Sequence, residues 1–244
     1  MASHNPALSE RAFARGTGTS TDAMTIPDVV RASLALLLIL IITGALGWQW
    51  IGDPGLTVGF PAWFWVGLIG ALGVGILTVF KPNFAPFSAP AYAALEGLVI
   101  GAISRIYDYE FDGIVLQAVM LTIGVFAVML GLYSTRLIKV TEKFRLGVIA
   151  ATGAILLVYV IDIVLSLFGL DVPYLHDTGP VGIIISLVIV AVAALNLVLD
   201  FDFIEQAANS GAPRFMRWYA AFGLLVTLVW LYLEILRLLG RVRS

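Results

Sequence analysis

The sequence predicts an all-α membrane protein of seven transmembrane helices, and three observations carry that prediction. Sixty per cent of the 244 residues are hydrophobic and only 12% are charged, with a mean hydropathy of +0.99, whereas soluble chains carry about 25% charged residues. The apolar residues are gathered into long runs, close to the ~20 residues a helix needs to cross the hydrocarbon core. Seven such runs can be counted. They divide the chain into a flexible polar N-terminal tail, 1–28, and one seven-helix transmembrane domain, 29–244.

The tail is rich in Ser, Thr, Ala and Gly and is too long and mixed for the n-region of a signal peptide. The first uncharged run, 32–52, contains "LALLLILIITGALGWQW", with Trp48 and Trp50 placed for an interfacial belt. The second, 54–80, has Trp63 and Trp65 at one end and Lys81 just past the other. A third segment starts near Ser88, includes Glu96 and ends in "SRIYDYEFD". The fourth, 113–135, is uncharged and leads into "RLIKVTEKFR"; the fifth, 146–170, holds one acid, Asp162. The sixth, 181–199, runs into "LDFDFIEQ", and the last, 218–239, contains Glu234 and Arg237. Gly67, Ala71 and Gly75, and then Gly97 and Gly101, place small residues four apart, a spacing that lets helix backbones approach closely in lipid.

Basic residues orient the chain. With the N-terminus cytoplasmic, the inner side collects Arg11, Arg15, Arg31, Lys81, Arg136, Lys139, Lys143, Arg145, Arg214 and Arg217, and the outer loops are acidic. This follows the positive-inside rule. An odd helix count, however, sends the basic end "RLLGRVRS" outward. Either the early helices dominate orientation or the last helix does not cross fully.

Several function classes are excluded. The chain has no cysteine, so thiolate metal sites and cysteine nucleophiles are out. Its two histidines, His4 and His176, have no second histidine at ligand spacing and read as surface residues. A net charge of −2 without a basic stripe argues against nucleic acid. No phosphate-binding or dinucleotide motif is present, and neither an enzyme nor a cofactor is expected.

The informative residues are the charges inside the membrane segments: Glu96, Arg105, Asp162, Asp200, Asp202, Glu234 and Arg237. Each costs at least ~2.5–3.5 kcal/mol at a helix centre unless it faces the bundle interior, a partner or water. Five of the seven are acids. Asp200 either marks the interface or is buried, since Phe201, Phe203 and Ile204 continue the apolar pattern beyond it. Asn196 lies one turn before it and shares its face, giving a polar strip expected to point inward. Asp202, roughly 200° round the helix at 100° per residue, faces elsewhere, and Glu205 reads as a solvated helix end. Glu234 either pairs with Arg237 three residues on or meets Asp200 in the bundle centre. Two touching carboxylates would share one proton and, deprotonated, would suit an oxygen-seeking cation such as Ca²⁺. Glu96, about six residues into its helix, would line the same inner vestibule, while Asp162 and Arg105 fall toward the outer side and could pair.

"LDFDFIEQ" at 199–206 and "LYLEILRLLG" at 231–240, supported by "APAYAALEGLVIGAIS", "NPALSERAF" and "VTEKFRLGVIAATG", resemble the Bax inhibitor-1 family, which includes bacterial YccA-like proteins. The resemblance covers nearly the whole chain. It implies seven helices with the C-terminal one central, enclosed by the other six, in a bacterial inner (plasma) membrane. It also implies a pH-sensitive calcium leak channel gated by an acid pair, here Asp200 and Glu234, with Glu where the family usually has Asp. In a simple antiparallel hairpin these two would differ in depth by roughly 16 Å, so a gating pair requires a bend or break near Gly223.

Two functions from different classes follow. One is a cation leak channel, calcium being the expected permeant ion. The other is a non-conducting regulator that binds a membrane protease or another membrane protein. An intramembrane aspartyl protease lacks its Gly-x-Gly-Asp stretch here, and an exchanger using Glu96 and Asp200 lacks the internal repeat such folds carry.

Overall fold

The computed structural model describes residues 23–54, 59–170 and 179–244. His4 and His176, the basic residues Arg11 and Arg15, and residues 1–22 of the expected tail lie outside them. Seven helices in the described residues are long and apolar enough to cross a membrane: α1 (Ile26–Trp50), α2 (Ala62–Phe80), α3 (Ala85–Glu110), α4 (Ile114–Ser134), α5 (Glu142–Ser166), α6 (Pro180–Asn209) and α7 (Met216–Arg243). No strand occurs among the described residues.

Their ends follow local chemistry. Thr25 caps α1, its hydroxyl accepting from the Asp28 N–H. The helix thus begins inside the stretch expected to be tail, where Met24 is buried and donates its N–H to the Ala212 carbonyl. Thr141 caps α5 through the Phe144 N–H. Gly113 starts α4 at a φ of +71°, a conformation that costs glycine nothing, with its N–H held by the Asp108 carboxylate. Two segments depart from expectation. α3 begins at Ala85, after a 3₁₀ turn at Pro82–Phe84, so Glu96 lies eleven residues into its helix, roughly 16 Å along the axis. α6 continues ten residues past Leu199, because "LDFDFIEQAAN" has no helix breaker before Ser210 and Gly211.

The closest crossing is α1 on α3. A Cβ added at Gly101 would stand 1.9 Å from the Gly44 carbonyl oxygen, and one at Gly47 only 2.1 Å from that of Leu98. The small-residue spacing at Gly97 and Gly101 therefore marks backbone contact. α7 packs along α1, α3, α4 and α6, α2 lies against α3, and α5 lies against α6 and reaches α7 through the Tyr159 side chain.

The helices alternate between two ends. One carries the 136–145 loop and is called the basic end; the other carries Asp53, Asp108, Glu110 and Asp112 and is called the acidic end. α7 runs from the first to the second. Arg243 reaches the Asp112 carbonyl and Arg241 the Gly182 carbonyl and the Ser186 hydroxyl. The last helix thus traverses the full bundle, and the unbalanced basic tail is held by acceptors at the acidic end.

Candidate functional site: separated buried acids

The chain places its buried acids at two levels of α7. Asp200, on α6, lies beside Gly223 and Thr227. The carboxyl faces Gly223: a Cβ there would be 4.0 Å from Asp200 Oδ1, an ordinary contact. Asp200 Oδ2 is buried and has no hydrogen-bond partner. Glu96, on α3, lies near Tyr92, whose ring meets Phe222 edge-on at 5.0 Å. Phe222 precedes Gly223, so Tyr92 of α3 and Asp200 of α6 meet successive residues on the basic half of α7. Among the described residues neither acid has a cationic partner.

Glu234 occupies the other level. It is 2% exposed, and Arg237 donates to both of its carboxylate oxygens, at 2.9 and 3.1 Å. Tyr159 of α5 donates its hydroxyl to Glu234 Oε1 at 2.6 Å and accepts from Arg237 at 2.7 Å. The three groups close a ring of hydrogen bonds in which charges cancel. Such closure is what makes an ion pair tolerable in a dry interior.

Asp200 and Glu234 are therefore not a proton-sharing pair. α7 is one unbroken helix from Met216 to Arg243, without the break expected near Gly223. Glu234 lies seven residues beyond Thr227, a rise of roughly 10 Å, and Arg237 draws its carboxylate further toward the acidic end. The physical reason is that the hairpin of α6 and α7 stays simple and antiparallel, and Arg237 supplies a cheaper partner than a second acid. The pair cannot jointly bind calcium either, and among the described residues no three acidic or histidine side chains converge on a metal position.

The other expected residues also find separate partners. Asn196 shares a helix face with Asp200 but turns its amide to the Thr152 hydroxyl of α5 at 2.8 Å, so the inward polar strip does not form. Asp202 accepts from Arg145 at 2.8 Å and from Gln206 at 2.6 Å. Arg105 lies over the Trp48 ring at 5.2 Å; α5, which carries Asp162, packs on α6 and not on α3. Glu205, expected in solvent, bonds both Tyr133 and Arg136.

Residues that sequence reasoning missed fall into a pattern. Arg145, Thr152 and Tyr159 are seven apart on α5 and contact Asp202, Asn196 and Glu234 in turn. A seven-residue step drifts only about 20° round a helix, so they form one polar stripe on an otherwise lipid-facing helix. That spacing was legible in "RLGVIAATGAILLVY". Thr227 and the buried Ser104–Tyr232 hydrogen bond, 2.7 Å, between α3 and α7 gave no comparable signal.

With this geometry in hand, residues 5–244 match the family model described as Bax inhibitor 1 like. No match is found among the curated proteins.

Proposed function

Because the chain belongs to the Bax inhibitor 1 like family, we propose that it is a cation leak pathway, controlled by protonation of Asp200. Calcium is the cation that carboxylate and hydroxyl oxygens suit. The observation that carries the reading is a carboxyl whose buried Oδ2 has no partner, set between α6 and α7 beside Gly223. A protonated Asp200 is compatible with this closed packing. An ionised one has no counter-charge nearby and favours a conformation that admits water or a cation. Leak is therefore expected to rise as pH rises. The Glu234–Arg237–Tyr159 ring would close the acidic half independently by pinning α5 to α7.

Calcium uptake into proteoliposomes across a pH series tests this. The expected result is pH-dependent uptake in the wild type, with uptake low and insensitive to pH in Asp200→Asn. Uptake with an unchanged pH profile in that variant would refute the proposal.

One observation favours a second reading. Glu234 is neutralised by its own helix, as suits a non-conducting regulator that binds a membrane protease or another membrane protein. Proteoliposomes that pass no cation at any pH would select it.

A further inference from the structure

α1 and α4 do not pack on each other. Between them, floored by α7, runs an apolar cleft of about 1130 Å³, lined along α1 from Ile26 to Trp48 and along α4 from Val115 to Tyr133. The α1 wall alone spans roughly 33 Å at 1.5 Å per residue, the hydrocarbon thickness of a bilayer. Most of the lining is aliphatic. Its polar groups are few: scattered side chains such as Gln49, Ser104 and Thr122, Ser33, whose hydroxyl is buried without a partner, and a cluster at the basic end formed by Tyr133, Arg136 and Glu205.

From this geometry we propose that the cleft is a phospholipid-binding site, with acyl chain packed between α1 and α4 and the phosphate held at Arg136. Water is a poor occupant, because an apolar cavity offers it too few hydrogen-bond partners. The slot is apolar through the depth of the hydrocarbon core and basic at one end, the pattern of an acyl chain joined to an anionic headgroup. A flexible hydrocarbon chain fits such a slot. Charge places the headgroup. The loop 136–145 carries Arg136, Lys139, Lys143 and Arg145 against the single acid Glu142. Arg136 stands at the cleft mouth with its side chain 60% exposed while bonded to Glu205, which leaves guanidinium edge free for a phosphate oxygen. The inference does not depend on the leak proposal.

Native mass spectrometry of the full chain, extracted in mild detergent and offered phosphatidylglycerol or phosphatidylcholine, tests it. The wild type is expected to retain one phospholipid and to prefer phosphatidylglycerol. Val119→Trp with Ile123→Trp, both partly exposed in the cleft region on α4, should lower occupancy at least tenfold. Ile69→Trp with Leu72→Trp on the lipid-facing side of α2 should not. Arg136→Gln should keep lipid but lose the headgroup preference. Ser33→Phe, a single substitution from the opposite wall, gives an independent block should the double variant fail to fold, and should also lower occupancy. No lipid on the wild type, equal retention in the cleft-filled and α2 variants, or a two-chain mass abolished by the same cleft substitutions would each overturn the proposal.

Discussion

Glu234 shows why a buried acid in a membrane helix need not be a gating group. Its partner lies one turn away on the same helix, so the pair forms whenever α7 forms, and Tyr159 completes it from α5. Removing one member of a buried ion pair costs about 3–5 kcal/mol, because the other charge is left uncompensated. Arg237 is partly exposed, which pulls the expectation to the lower end. Glu234→Gln and Arg237→Gln should therefore lower the thermal unfolding temperature in detergent by clearly more than Tyr159→Phe does. Equal midpoints for all three would show that the ring carries no stability. Asp200 behaves differently: with one oxygen unpartnered, Asp200→Asn should leave that temperature unchanged or raise it.

At the scale of the helix, α5 and the α1–α3 crossing hold by opposite means. Only Val148 of α5 is buried, and lipid provides no hydrophobic drive to seat the rest, so the polar stripe at Arg145, Thr152 and Tyr159 anchors it. Interhelical hydrogen bonds in membranes are worth roughly 0.6 kcal/mol each. Thr152→Val alone should thus be mild, while the triple change Arg145→Met, Thr152→Val, Tyr159→Phe should free α5. A cysteine at position 148, protected in the parent, would then react with a maleimide from the detergent phase; continued protection would refute the pinning role. The α1–α3 crossing relies on missing side chains, and Gly101→Leu should force the two backbones apart, with a Tm loss larger than that of Gly73→Leu, where nothing lies within 4 Å. Equal losses would contradict the close approach. These elements also mark what a sequence can disclose. Helix number and the glycine contacts follow from composition and spacing, which are local properties. The partner of each charge does not, because Glu234 had two candidates of opposite consequence and only the straightness of α7 decides between them. The expected break at Gly223 follows only if the acids must meet, and the helix instead runs straight through that glycine beside Asp200.

For the whole molecule, the alternation of seven helices puts Arg243 beside Asp112 at the acidic end and the 136–145 loop at the other. The absence of native cysteine makes this directly testable in vesicles. Single cysteines at positions 112 and 243 should label from one side with an impermeant reagent, and a cysteine at 139 from the other. Labelling of 139 and 243 from the same side would mean that α7 does not cross. Across the bundle the charges then fall into two levels, an unpaired acid toward the basic end and a closed ring toward the acidic end, and the central claim is that these act separately. The most direct test is the pH profile of calcium uptake into proteoliposomes for Asp200→Asn and Glu234→Gln, measured side by side. Separate action predicts a flat, low profile for Asp200→Asn and a raised basal leak with its pH dependence intact for Glu234→Gln. The same altered pH profile in both variants would mean that the two carboxyls titrate as one unit, and would contradict the account.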